Sequence, residues 1–79
     1  FMRPPAAITD EADAESLTTR ELEVLQHLAR GLANKQIATV LNLSENTVKF
    51  HISTIYAKLG VNNRAEAVIT GARRGLISL

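Results

Sequence analysis

The chain of 79 residues contains no cysteine, which excludes disulfides and thiolate metal sites and fits a reducing compartment, expected here to be the cytoplasm. Apolar residues make up 46% of the sequence without forming a long uninterrupted run, so no stretch reads as a transmembrane span. A secretory signal is missing as well: the first sixteen residues hold one basic residue, four acids and no apolar segment. Catalytic sets are equally scarce. No Ser/His/Asp or Cys/His combination is apparent, His27 and His51 have no partners at metal-ligand spacing, and no glycine-rich phosphate loop follows a strand pattern. We therefore expect neither an enzyme nor a cofactor, metal included.

What remains is enough for one small domain with unevenly placed charge. Residues 1–16 set Arg3 against Asp10, Glu11, Asp13 and Glu15, a net −3, and include Pro4-Pro5 with no periodic apolar pattern. They read as a flexible acidic linker or tail, with a docking segment for another domain as the alternative. Met2 stands behind Phe1, which suggests that Phe1 is not a native start and that a larger parent protein exists. Residues 17–79 set eight basic residues against four acids, a net +4. A mildly basic domain is compatible with a polyanion partner, but many small domains share that charge, so position has to carry the argument.

Four helices are legible. Thr18 followed by Glu21 forms a capping box, with Leu17 and Leu22 at the staple positions, so a helix should start at Thr19. Leu22, Leu25, Leu28, Ala29 and Leu32 recur at helical spacing behind that start, and Gly31 supplies a stop. Arg20, Glu23 and Arg30 read as its solvated face, with His27 exposed. A short helix follows from about Asn34 to Leu41, turning Ile37, Ala38 and Leu41 inward, with Ala33 or Asn34 as its N-cap. Asn42 tolerates left-handed backbone angles and Leu43 plugs the corner.

Ser44 then caps a third helix from Glu45 to Leu59, with Leu43 and Val48 as its staple and Gly60 as its end. At about 100° per residue, Val48, Ile52, Ile55 and Leu59 fall on one core-facing stripe. The opposite face carries Asn46, Lys49, Phe50, Ser53 and Ala57. His51 and Tyr56 lie at the boundary as packing residues. Asn63, with Glu66 three residues on, caps a fourth helix that turns Ala67, Val68, Gly71 and Ala72 to the core. Gly75 closes that helix before Leu76 and Ile77 fold back. Ala65, Ile69 and Arg73 form a second, outward stripe on it. The fold class expected is all-α, a compact four-helix domain containing a helix-turn-helix.

The two helices around Asn42 form that motif, and the outer face of the third helix is the candidate for reading DNA. Lys49 can donate to guanine O6 and N7, Ser53 can donate or accept one turn further on, and Phe50 can meet a thymine methyl. With Asn46, these are the candidate base-reading residues.

In its residues the chain resembles the LuxR-type helix-turn-helix domain found at the C-terminus of NarL/FixJ-type bacterial response regulators. The resemblance runs through Leu17-Thr18-x-Arg20-Glu21-x-Glu23-Val24-Leu25, Gly31-x-x-Asn34-Lys35-x-Ile37-Ala38 and Leu43-Ser44-Glu45-Asn46-Thr47-Val48-Lys49-x-His51-Ile52. It ends with Lys58-Leu59-Gly60-Val61-Asn62-Asn63-Arg64-x-Glu66-Ala67. It implies sequence-specific binding to promoter DNA, with helix 45–59 in the major groove. It further implies phosphate contacts at Asn34, Lys35, Thr47, Lys58 and Arg64, and a homodimer on DNA paired through Ala65, Ile69 and Arg73. A receiver-type regulatory domain in the full-length protein is implied too, and RNA polymerase is a further candidate partner. Phe50 stands where the family more often has a smaller aliphatic residue. Two other readings stay open: a helical protein-interaction module docking on RNA polymerase or a regulatory domain through Phe50 or Ile69, and a sigma-factor-like DNA-binding region. The Lys58–Ala67 segment fits the LuxR-type pattern better than the latter.

Overall fold

The computed structural model describes residues 16–79; the expected acidic linker lies almost wholly outside the described residues. Among those described are four helices and no strand: α1 Thr19–Ala29, α2 Asn34–Leu41, α3 Glu45–Leu59 and α4 Arg64–Arg73. None is long and apolar enough to cross a membrane.

Local chemistry sets each start. Thr18 Oγ1 accepts the Glu21 N–H at 3.1 Å while Glu21 Oε1 accepts the Thr18 N–H at 2.9 Å, closing the capping box at α1. Ser44 Oγ accepts the Thr47 N–H at 3.0 Å to begin α3, and Asn63 Oδ1 accepts the Glu66 N–H at 2.9 Å to begin α4. The Glu66 carboxylate reaches Asn62, one residue before the cap, rather than Asn63 itself. At α2 the N-cap is Ala33, whose methyl group accepts nothing; only the reverse half of a box is made, by Gln36 Oε1 on the Ala33 N–H at 2.7 Å.

The ends share one device. Gly31, Asn42, Gly60 and Gly75 all have positive φ, and each is followed by a residue whose N–H bonds back to the carbonyl five positions earlier. This is the Schellman motif, satisfying carbonyls that the helix leaves open. Asn42, at φ 59° and ψ 46°, is the one non-glycine residue so placed among those described. Asparagine is among the side-chain-bearing residues that tolerate this region best.

The core lies where α3 crosses the other helices. Val48, Ile52, Ile55 and Leu59 are buried on it, as the periodicity predicts, against Val24, Leu25 and Leu28 of α1, Ile37 and Ala38 of α2, and Ala67 and Ile77 from the C-terminal part. Helix α1 packs on the other three helices, and so does α3, whereas α2 and α4 barely touch. Gly71 permits the close approach of α4: a Cβ there would stand 2.9 Å from Leu25 Cδ2.

Two expectations for α1 need correction. Its core stripe is Glu21, Val24, Leu25 and Leu28, the i, i+3, i+4, i+7 set, so Leu22 lies off to one side and is half-buried. His27 is half-buried rather than exposed, with Nδ1 enclosed and without a hydrogen-bond partner in the protein.

Candidate nucleic-acid interface

Burial of one side of α3 determines what the other side presents. Asn46, Lys49, Phe50 and Ser53 are all exposed along its outer face, and Phe50 keeps 68% of its surface in solvent. A large ring left that open on a rigid helix is unexplained by core packing; its close ring neighbour is His51, with centroids 6.1 Å apart and the planes tilted at 59°. The helix is roughly 22 Å long, a length that fits along a major groove.

Helix α2 precedes this helix in the helix-turn-helix, its C-terminal end joined to the start of α3 through Asn42, Leu43 and Ser44. Because Ala33 gives no side-chain cap, the N–H groups of the first turn of α2 remain available, next to half-buried Asn34 and exposed Lys35. Available N–H groups, the positive end of the helix dipole and a lysine together suit an anion. Thr47 is half-buried, and its hydroxyl lies 2.8 Å from Ser44 Oγ within the α3 cap.

Two of the expected phosphate residues are placed differently. Lys58 Nζ bonds Glu21 Oε1 at 2.8 Å and the Ser16 carbonyl at 3.1 Å, and Arg64 Nη2 donates to the Leu28 carbonyl at 2.8 Å. Both cations are half-buried and bonded to groups of α1 or the chain leading into it. Spacing alone missed Glu21, 5% exposed. The available signal was its register: Glu21 precedes Val24, Leu25 and Leu28 on the same stripe, an acid where an apolar residue is expected. Burial works against its charge, yet the Lys58 hydrogen bond, reinforced by the Thr18 N–H and hydroxyl, outweighs that and holds the carboxyl below its usual range. Burial pushes the Tyr56 phenol up, partly countered by the Arg64 charge.

On the far side, Ala65, Ile69 and Arg73 are exposed on α4, Ile69 by 54%. Ile69 borders an open depression of about 490 Å³ lined also by Leu28, Ala29, Arg64, Ala65 and Val68. No group of three or more potential metal ligands occurs among the described residues.

Residues 15–70 match the family of bacterial regulatory proteins, luxR family (GerE). The chain belongs to the luxR family of bacterial regulatory proteins. As a LuxR-family DNA-binding domain it is 60% identical over 53 residues to the nitrate/nitrite response regulator protein NarP of Escherichia coli (strain K12), covering 67% of this chain and 25% of that protein. Among solved structures it is similar to the transcription factor GerE, with TM-score 0.75 and 44% identity over 78% of this chain and 92% of that one. It is similar also to the response regulator ChrA of a heme-sensing two-component system, with TM-score 0.77 and 48% identity over 78% of this chain and 31% of that one. The chain spans about a quarter of the length of the curated relatives it matches.

Proposed function

We propose that residues 17–79 read operator DNA as the output domain of a bacterial two-component response regulator, with α3 lying in the major groove. The observation that carries this is the outer face of α3, where Asn46, Lys49, Phe50 and Ser53 are exposed together on a helix whose opposite side is closed into the core. Lys49 donates to guanine, Asn46 and Ser53 to neighbouring base edges, and Phe50 packs on a pyrimidine edge. Asn34 and Lys35, at the uncapped start of α2, and Thr47, at the start of α3, hold phosphates and so set position on the duplex.

The rest of the longer protein carries a receiver-type domain and works in the cytoplasm. The relatives support this, since NarP is described as a response regulator and ChrA as one within a two-component system. Two copies pair through Ala65, Ile69 and Arg73 of α4, bringing two recognition helices to half-sites on the order of one DNA turn apart. RNA polymerase is the partner through which the bound dimer acts on transcription.

The test is fluorescence anisotropy on a randomised duplex pool at several salt concentrations, followed by selection of a preferred operator. Affinity should fall with salt by a log–log slope of about 0.9 per phosphate neutralised, and selection should converge on one sequence. Absence of binding at low salt, even for two copies of the chain joined by a flexible linker, would favour the protein-docking module instead.

A further inference from the structure

We infer that Lys58 and Arg64 are positioning residues: two cations on either side of the α3–α4 turn that clamp the two ends of α1 and so fix the angle at which α3 meets DNA, neither of them anchoring a phosphate.

The two contacts form one arrangement. Lys58, in the last turn of α3, reaches the start of α1 through Glu21 Oε1 at 2.8 Å and the chain leading into it through the Ser16 carbonyl at 3.1 Å. Arg64, the first residue of α4, reaches the other end of α1 through the Leu28 carbonyl at 2.8 Å. That carbonyl also accepts the Gly31 N–H at 3.0 Å. The guanidinium therefore sits at the negative end of the α1 dipole, where a cation is favoured. Helix α1, roughly 16 Å long by its residue count, is thus held at both ends by groups that flank a single turn at Gly60. The corner between α3 and α4 cannot rotate against α1 without breaking one of the two ties.

Energetics disfavours a second use for Lys58. Its side chain is 23% exposed and that of Glu21 is 6% exposed. Transferring the ammonium to a phosphate would leave the Glu21 carboxylate enclosed without its cation, a costly state for a buried charge. Base reading, in contrast, demands that a helix be held within about 0.5 Å of its productive position, which ties to a neighbouring helix can enforce.

This inference rests on the DNA-binding reading, and its test is chosen so that the two fail differently. Glu21→Gln keeps an oxygen for the Thr18 N–H but releases Lys58 from its carboxylate. If Lys58 positions α3, cognate affinity drops by about tenfold; a phosphate anchor set free would raise it. Lys58→Met and Arg64→Met should each lower cognate affinity by a similar factor while leaving the salt slope unchanged. A slope reduced by about 0.9 in either variant overturns the assignment for that residue. So does unchanged affinity in a variant shown to be folded by circular dichroism, which would leave the ties merely structural. Should Lys58→Met fail to fold, the sign of the Glu21→Gln effect decides for Lys58. Wild-type protein that binds no duplex overturns both readings, whereas wild-type binding with a tighter Glu21→Gln variant overturns this one alone.

Discussion

The two ends of α3 carry lysines that a sequence motif treats alike and that the fold treats oppositely. Lys49, near the start, stands in solvent beside Phe50 and Ser53. Lys58, nine residues on, turns inward to a carboxylate enclosed by the core. Both belong to the same basic count, yet the first stands in solvent and the second is already held in an ion pair. A formal net charge of +1 thus says little about the interface; what matters is which cations are already paired.

Stability measurements should separate the two ends most widely. Lys58→Met removes one partner of an enclosed ion pair and should cost about 3 kcal/mol of folding free energy, the low end for such pairs because the ammonium retains some water. The same change at Lys49 should stay within about 0.5 kcal/mol. Urea or thermal unfolding of the two variants makes the comparison, and equal losses would break it.

On DNA both lysines should matter, and the difference is expected in specificity. Lys49→Ala should cost about 1–3 kcal/mol on the selected operator and markedly less on unrelated duplex, measured by anisotropy on both; equal losses would demote Lys49 to a phosphate contact. A smaller effect is expected from Ile69→Glu, about tenfold in affinity for a duplex with two half-sites, with a single half-site unaffected. Unchanged two-site affinity would remove α4 as the pairing surface.

The smallest effect is one of pH. Because the Glu21 carboxyl is held below its ordinary value near 4.5, its contribution is present in full above that value and is lost as pH falls through the lower folded one. Melting temperature should therefore drop in this acid window, and Glu21→Gln should flatten that part of the profile. A profile identical in the two proteins would remove Glu21 as its source.

These contrasts also mark what could be read in advance. Thr18, Ser44 and Asn63 announce their helices because a cap bonds to a group three residues away, and the Val48–Leu59 stripe follows from helical spacing alone. Asn42 is legible for the same reason: its left-handed geometry closes bonds within one turn. The ties of Lys58 and Arg64 span 37 and 36 residues, a distance over which periodicity carries no information. In the case of His27, its place on the helical wheel suggests solvent, yet the side chain is half-buried with Nδ1 enclosed. Which helices bury a side chain from outside its own stripe is a tertiary property.

The near absence of contact between α2 and α4 has an evolutionary side. Substitutions at distant sites with no shared partners add their energies almost independently. Exposed residues of α2 and of the outer side of α4 have almost no direct contact through which to couple, so a lineage can alter the α2 surface proposed to meet an operator while keeping the outer α4 surface, or the reverse. Only α1 and α3, which both outer helices touch, are bound to change in concert.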